Sequence, residues 1–188
     1  MRSNVFKPLP FLPGNHHLNR WAFGYFLVKN GFSTSIIMEE TSFTYKQIRK
    51  IREDLAIKEH RRASYGQDIL SKEDWVNYSS AIQIYCELRE KLTHLESVLE
   101  AYACLKSKKD FDISGFYKAC EEISTGEAFF AECVHCDNEV FSGPGLRDKV
   151  VSKYCPACGK NNWEHPKSEH RLGHIVTRPR SGDQQPLF

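Results

Sequence analysis

The chain has 188 residues, of which 40% are hydrophobic and 27% are charged, enough for a buried core in one ordinary domain or two small ones. No run of 18 apolar residues is present, so no membrane partner is expected. Lys and Arg exceed Asp and Glu by 11 to 6 in residues 1–70, are outnumbered 7 to 12 in residues 71–132, and lead 8 to 6 in residues 133–188. This asymmetry predicts an anionic partner at the N-terminal end and a protein partner for the acidic middle.

Residues 1–18 are predicted to form an arm without regular structure. Three prolines and a glycine lie between positions 8 and 14, and such residues interrupt helices and strands. The arm is also rich in apolar residues, so we expect it to dock on this chain or on another one. A helix is predicted to follow from about Asn19 to Lys29, with Asn30-Gly31 as its C-cap.

Two short helices joined by a turn are predicted next, within a region that spans residues 19–70. The first extends from Ser33 or Thr34 to about Glu40, and Thr44 caps the second, from Tyr45 to about Ile57. The residues that a helix-turn-helix would place inward are Ile37, Thr41, Phe43, Ile48 and Ile51. The spacing therefore predicts a helix-turn-helix, although Ser42 occupies the turn position that Gly would fill most easily.

The outward face of the second of these helices is predicted to enter the major groove of DNA. Arg and Lys reach phosphates or guanine edges, Gln can pair with adenine, and Tyr can contact the backbone. The predicted DNA-binding residues are Tyr45, Lys46, Gln47, Arg49, Lys50 and Arg52 in the helix, and Lys58, Arg61 and Arg62 in the basic loop after it. The alternatives are a solvated basic surface on an ordinary three-helix unit and, for the loop, a flexible linker.

Residues 71–132 are predicted to form a bundle of three amphipathic helices that binds a partner. Ser71 caps the first helix, a bend near Thr93 precedes the second, and the third continues through Phe129-Phe130 into the next region with a kink at Gly126. The large aromatic residues predicted to straddle the core and a partner interface are Trp75, Tyr78, Tyr85 and Tyr102. The alternative is that they fill only the core of this chain. Cys86, Cys104 and Cys120 are expected to be small buried hydrophobes.

Two C-x-x-C pairs organise the C-terminal region. Cys133 and Cys136 form the first pair and Cys155 and Cys158 the second, so four thiolates can close a tetrahedral Zn²⁺ shell. Residues 138–141 and 149–154 are predicted to form strands around a turn at residues 142–145, which gives a zinc ribbon over residues 133–163. Two disulfides or a thiol redox motif are the alternatives. An odd cysteine total and no apparent secretory leader predict a reduced, cytoplasmic location instead.

The expected zinc ion is structural, because four protein sulfurs leave no coordination position for water. No Ser or Cys nucleophile has an evident His partner and no Gly-rich phosphate loop is present, so we do not expect an enzyme. A metal-dependent enzyme is the third functional alternative, and the lack of a fifth ligand or open coordination site in the sequence disfavours it. Residues 164–188 are predicted to form a basic flexible tail along nucleic acid, with a second metal site from its three His residues as the alternative.

The order of these parts resembles the FlhC family, which comprises the C subunit of the flagellar master transcriptional activator and related C-type activators of conjugative plasmids and integrative elements. The resemblance covers roughly residues 19–160. It rests on the run Thr44-Tyr45-Lys46-Gln47-Ile48-Arg49-Lys50-Ile51-Arg52-Glu53-Asp54-Leu55, on Asp74-Trp75 and Ala101-Tyr102, and on the cysteine quartet.

The resemblance implies a bacterial transcription activator that works as a hetero-oligomer with a smaller helical D-type subunit. Such a complex binds double-stranded DNA upstream of the core promoter and recruits RNA polymerase. The resemblance also implies that the four cysteines bind zinc and that the D-type subunit packs against the helical middle. The proline-rich arm and the His/Arg tail depart from the flagellar proteins, which favours a regulator of conjugative transfer over one of flagellar genes.

The sequence as a whole thus predicts a mainly α protein with a helix-turn-helix, a helical bundle and a small C-terminal zinc ribbon held by four cysteines. Its predicted function is that of the DNA-binding subunit of a heteromeric activator. The alternative is a zinc-ribbon module that binds protein or RNA, in which residues 33–57 only pack.

Overall fold

The computed structural model describes residues 6–58, 64–106, 110–146 and 153–160, and these are mainly helical. The helices are α1 (His17–Lys29), α2 (Thr34–Thr41), α3 (Tyr45–Leu55), α4 (Tyr65–Asp68), α5 (Lys72–Leu88), α6 (His94–Lys106) and α7 (Ile113–Thr125). Two strands, β1 (Phe129–Glu132) and β2 (Glu139–Ser142), pair antiparallel, with Phe129 opposite Ser142 and Glu132 opposite Glu139. None of the described helices has the length and apolar character that crossing a membrane would require.

Helices α1, α2 and α3 pack around a shared set of apolar side chains. All five residues predicted to point inward are buried: Ile37, Thr41, Phe43, Ile48 and Ile51. Gly24 of α1 allows a close approach here, because a Cβ atom at that position would lie 2.5 Å from the Phe43 ring. The predicted inward face of the two short helices is therefore confirmed as a packed surface.

The ends of these helices follow the local sequence signals. Asn30 caps α1 and is followed by Gly31, which has a φ of 85°. Thr44 caps α3, since its hydroxyl accepts from the Gln47 N–H and the Gln47 side chain accepts from the Thr44 N–H. Ser42 ends α2 in the left-handed conformation with a φ of 55°, at the position where the sequence lacks the expected glycine.

The described part of the N-terminal arm docks on α1 of the same chain. The Phe6 ring lies 5.1 Å from the ring of Phe23 and 5.7 Å from that of Phe26. The buried Asn19 side chain accepts from the Leu9 N–H and donates to the Pro13 carbonyl, both at 2.8 Å. Of the two docking sites expected for the arm, its own chain is the one observed.

The remaining helices form a bundle that shares one core with α1–α3. Helix α6 packs against α5, and α7 packs against α4, α5 and α6. The Ser33 N–H donates to Ser114 Oγ at 2.8 Å, and Tyr117 of α7 donates to Glu40 Oε1 of α2 at 2.7 Å. These bonds join elements about 80 residues apart in the chain and hold the N-terminal helices on the bundle.

The prediction that four aromatic residues straddle the core and a partner surface is wrong. Trp75, Tyr78, Tyr85 and Tyr102 are all buried within this chain. The Tyr78 ring packs edge-on against Phe111 and Phe116, and the Trp75 indole donates to the Phe141 carbonyl at 2.7 Å. Helix α7 and strand β2 cover the faces that the bundle was expected to leave open.

The connection from the bundle to the cysteines also differs from the expectation. Helix α7 ends at Thr125, and Gly126 terminates it with a φ of 78° instead of introducing a kink. The following residues, Phe129–Glu132, form strand β1 and are not helical. Strand β1 lies before the first cysteine pair and β2 lies after it, and the two strands pair with each other. Residues 149–152 of the predicted second strand lie outside the described residues.

Two further expectations need correction. The region after α3 is not wholly a loop, because the short helix α4 contains the buried Tyr65. Of the three cysteines expected to be small buried hydrophobes, Cys120 is buried, Cys86 is half-buried against the core and Cys104 is exposed.

Candidate metal centre and basic helix face

The two C-x-x-C pairs form knuckles with the same backbone pattern. In the first, the Asp137 N–H donates to the Cys133 carbonyl and the Cys133 N–H donates to the Asn138 carbonyl, both at 2.9 Å. In the second, the equivalent bonds join Gly159 to Cys155 and Cys155 to Lys160, again at 2.9 Å. Asp137 and Gly159 occupy the same place and both have a positive φ, 57° and 74°. The repeated turn directs both sulfurs of each pair towards one point.

The four sulfur atoms are spaced as a tetrahedral metal shell requires. Cys133 Sγ lies 3.8 Å from Cys158 Sγ, and Cys136 Sγ lies 3.7 Å from Cys155 Sγ. All four lie within 4.8 Å of one another. A tetrahedron with Zn–S bonds of about 2.3 Å has S···S edges of about 3.8 Å. The cysteines can therefore hold one metal ion between the knuckles.

The alternative of two disulfides does not fit these distances. A disulfide joins its sulfurs at about 2.05 Å, and the described cysteines form none. Each of these two contacts joins a cysteine of the first knuckle to one of the second, so the four sulfurs form a single cluster that one metal ion can share.

The surroundings of the two cysteines of the first knuckle differ. Burial raises the pKa of the Cys133 thiol. The Asn138 backbone N–H lowers the pKa of Cys136, to about 7, and the Asn138 side-chain amide contributes in the same direction. Amide donors stabilise the thiolate, which is the form that binds a metal ion.

A lysine distant in sequence lies beside the second knuckle. The Lys72 ammonium, in the first turn of α5, lies 6.0 Å from the centre of the Tyr154 ring and 3.1 Å from where a Cβ atom of Gly159 would be. Four thiolates and a divalent cation carry a net charge of about −2, which a nearby cation offsets. No local sequence pattern could indicate Lys72, because it lies more than 80 residues from Tyr154 and Gly159 in the chain.

Strand β2 connects the metal centre to the bundle. The Phe141 ring is buried, its N–H donates to Ser79 Oγ at 3.0 Å, and its carbonyl accepts from the Trp75 indole. Both partners lie on α5, one turn apart. The strand that directly follows the first knuckle is thus attached to the helix that also carries Lys72.

The turn after β2 is shaped by Tyr65. A Cβ atom on Gly143 or on Gly145 would lie 2.6 Å from atoms of the Tyr65 side chain, so neither position accommodates a larger residue without a shift. The Gly145 N–H donates to the Tyr65 hydroxyl at 2.6 Å. The two glycines of the predicted turn are explained by this close approach of α4.

The outward face of α3 presents most of its predicted DNA-binding residues to solvent. Tyr45 is 52% exposed, and the side chains of Arg49 and Lys50 are 69% and 71% exposed. Lys46 and Lys58 are exposed as well. Arg49 pairs with Glu53 at 2.8 Å and Lys50 with Asp54 at 3.8 Å. Solvent screens exposed pairs of this kind and they contribute little to stability, so a phosphate can replace either carboxylate at small cost.

The prediction that Arg52 belongs to this outward face is wrong. Arg52 is only 7% exposed, and its Nη1 donates to Thr34 Oγ1 of α2 at 2.7 Å. It follows Ile48 by four residues, so the helical repeat turns it towards the buried side. Its aliphatic part packs while its guanidinium bonds to α2.

Gln47 is committed to the cap of α3. Its Oε1 accepts from the Thr44 N–H at 2.8 Å and lies 2.9 Å from the Thr44 hydroxyl. Pairing with adenine uses both the oxygen and the amide nitrogen of a glutamine. Contact with a base through Gln47 would therefore require this cap to open.

The remaining predicted sites lie outside the described residues. They are Arg61 and Arg62 of the basic loop, and residues 164–188 with their three histidines. A scan against models of known protein families found no match for this chain, and a search of curated protein sequences found none either.

Proposed function

We propose that this protein is the DNA-binding subunit of a heteromeric bacterial transcription activator, with one structural zinc ion. The observation that carries the proposal is the basic outward face of α3, made by Tyr45, Lys46, Arg49 and Lys50. Ile48 and Ile51 hold the opposite side of α3 against α1 and α2, so the basic face is presented on a rigid support. A helix presented in this way fits the major groove of B-DNA.

The activator role goes beyond DNA binding and is supported by the resemblance to the FlhC family. The run of residues 44–55 and the cysteine quartet support a C-type activator subunit that works with a D-type subunit and recruits RNA polymerase. The genes controlled would be those of conjugative transfer or of flagella. In this role the zinc centre takes no part in chemistry and instead supports the fold.

The DNA-binding proposal is tested with a duplex selected from a random pool by the purified protein. We expect the variant with Lys46→Ala, Arg49→Ala and Lys50→Ala to lose most of its affinity. If each side chain neutralises one phosphate, the plot of log association constant against log salt concentration should become shallower. Its negative slope should decrease in magnitude by about 2.7, which is three times roughly 0.9. Fluorescence anisotropy at several salt concentrations measures both quantities.

The matched control removes three exposed lysines outside α3, with Lys29→Ala at the end of α1, Lys91→Ala in the turn between α5 and α6, and Lys106→Ala at the end of α6. It changes the net charge equally, so it should retain the affinity if α3 is the interface. Equal losses of DNA affinity in the two triple variants would mean that only the total charge matters. That result would exclude α3 as the helix that contacts DNA.

The identity of the metal is proposed from the donor set. Four thiolates in a tetrahedron are typical of Zn²⁺, and also of iron in some proteins. Elemental analysis of the purified protein should give about one zinc per chain and no stoichiometric iron. A protein without tightly held zinc would contradict the assignment.

A zinc-ribbon interaction module is the second candidate. Val134 within the first knuckle and Tyr154 directly before the second are both about half exposed. Both can contact a protein, and the tyrosine ring can stack on an unpaired base. A protein that prefers single-stranded RNA to duplex DNA, with no effect of the α3 triple variant, would favour this candidate over the activator.

A further inference from the structure

An apolar groove lies between α5 and α6, and its lining includes no residue of the basic face of α3 or of the knuckles. It has a volume of about 510 Å³. Its apolar lining comes from Ile84 and Leu88 of α5, Leu92 of the connection and Cys104 of α6. Glu96 and Glu100 of α6 add two carboxylates, and Lys7 of the arm lies at its boundary.

The carboxylates give the groove one negative wall. Glu96 and Glu100 are four residues apart on α6, so they lie on the same side of the helix. The Thr93 N–H and hydroxyl donate to Glu96 at 3.0 and 2.7 Å, and these bonds lower the pKa of Glu96, so it stays ionised at neutral pH. Residues 71–132 hold 12 Asp and Glu against 7 Lys and Arg, which reinforces the negative field.

The shape of the groove selects a helix rather than a strand. Both walls are α-helices whose backbone groups bond within the helix, so the groove offers no strand edge to extend. Ile84 and Leu88 form an i,i+4 ridge on one side, and Glu96, Glu100 and Cys104 form a second ridge about 12 Å long on the other. A third helix can pack between such ridges.

We infer that this groove binds an amphipathic helix of a partner protein, with an apolar face on the floor of the groove and Lys or Arg residues along the edge that meets Glu96 and Glu100. The inference deepens the heteromer part of the proposed function and rests on it. It assigns the partner contact to the outer side of α5 and α6, because the aromatic residues expected to make it are buried within this chain.

The test uses the full-length, metal-loaded protein and two designed helical peptides of equal length. Both carry leucines along one face, with lysines along one edge of the first peptide and glutamates at the same positions of the second. We expect the lysine peptide to bind about tenfold more tightly than the glutamate peptide in fluorescence anisotropy, since like charges across an interface repel.

A charge reversal locates the contact. Glu100→Lys should abolish the preference for the lysine peptide, whereas Glu87→Lys, exposed on α5 and outside the groove lining, should retain it. Glu96 is left unchanged because its carboxylate caps α6. Equal binding of the two peptides, or equal effects of the two variants, would overturn the inference.

The exposed Cys104 provides a readout within the groove itself. Its maleimide labelling, followed by peptide mass spectrometry, should be rapid in the protein alone and slower with the lysine peptide. Labelling that is already slow at every protein concentration would mean that another part of this chain fills the groove. Labelling that slows as the protein concentration rises would mean that a second copy fills it. Either result would overturn the partner-helix inference.

The duplex binding of Glu100→Lys separates this inference from the DNA-binding proposal. We expect unchanged DNA affinity, because α3 is untouched. A wild-type protein that binds the lysine peptide as described but no duplex would refute only the DNA-binding proposal. A protein that binds duplex through α3 without discriminating the peptides would refute only the groove.

Discussion

Single residues connect parts of this protein that lie far apart in the chain, and Tyr65 is the clearest case. Its hydroxyl donates to Glu122 Oε2 of α7 at 2.5 Å and accepts from the Gly145 N–H at 2.6 Å. Glu122 is itself buried, and a buried carboxylate without a donor is costly. The Tyr65 hydroxyl therefore provides hydrogen-bond partners for both Glu122 of α7 and the Gly145 N–H after β2.

Removing that hydroxyl should destabilise the fold. We expect Tyr65→Phe to lower the free energy of unfolding by about 1–3 kcal/mol, because Glu122 loses a donor and the Gly145 N–H loses an acceptor. Urea denaturation followed by circular dichroism measures the change. Tyr45→Phe is the control, since Tyr45 is exposed on α3, and an equal effect of the two changes would contradict the role assigned to Tyr65.

A second residue-scale effect concerns the charge of the metal centre. Replacing Lys72 by Met keeps most of its length but removes the cation beside the second knuckle. We expect metal transfer to a chelator to become roughly two- to fivefold faster, as for the loss of one partly screened charge interaction. Lys72→Arg should retain the slow rate, and Lys46→Met on α3 should leave it unchanged. A Lys72→Met protein that releases metal at the original rate would show that the lysine only packs on Tyr154.

At the scale of elements, three helices end on a residue with a left-handed backbone conformation. Ser42 and Ala56 end α2 and α3 with φ values of 55° and 52°, and Gly126 ends α7 with a φ of 78°. A left-handed conformation costs a residue with a Cβ atom roughly 1–2 kcal/mol, whereas glycine adopts it readily. Only α7 of these three helices therefore ends on the residue that its geometry favours.

Glycine substitution at α3 should stabilise the protein. We expect Ala56→Gly to raise the free energy of unfolding by about 1 kcal/mol, and Gly126→Ala to lower it by a similar amount. Neither change alters a packed side chain, as a Cβ atom at Gly126 would have nothing within 4 Å. Urea denaturation of both variants checks the sign, and a destabilising Ala56→Gly would contradict the expected backbone strain.

At the scale of the whole molecule, the candidate metal centre and the bundle are parts of one folded unit. Phe141 enters the core between α4 and α5, where it packs against Tyr65 at a ring distance of 5.4 Å. Its backbone bonds to Ser79 and Trp75 make β2 an extension of α5. Loss of the metal should therefore reach the bundle through this strand.

The Cys155→Ser variant tests that coupling. We expect it to lose the metal, because ligand binding and folding are coupled at closed thiolate sites. The bundle should then unfold at lower urea, since displacing a buried phenylalanine costs roughly 3–5 kcal/mol. Amide exchange in α5 should accelerate near Trp75 and Ser79. Cys104→Ser is the matched control and should keep both metal and stability. A metal-free variant with an unchanged bundle transition would show two independent modules.

Features that depend on neighbours in sequence were predictable from the chain alone. The cap of α3 needs only Thr44 and Gln47, and each knuckle needs two cysteines with a turn residue directly after them. The buried side of α2 and α3 follows from helical spacing and the turn between them. Each of these signals acts over a few residues, so the local sequence contains the whole cause.

Features that depend on distant partners were decided only by the tertiary structure. An amphipathic stripe predicts that a face is buried but not what covers it, so the sequence could not show that β2 and α7 enclose Trp75 and Tyr78. Likewise, Phe129–Glu132 forms a strand because Glu139–Ser142 lies beside it. The packing of α2 on α3 places Thr34 where its hydroxyl accepts a hydrogen bond from the Arg52 guanidinium. The cation beside the second knuckle comes from Lys72, more than 80 residues away in the chain. Such contacts form only when the chain closes large loops, and no short stretch of sequence encodes both partners.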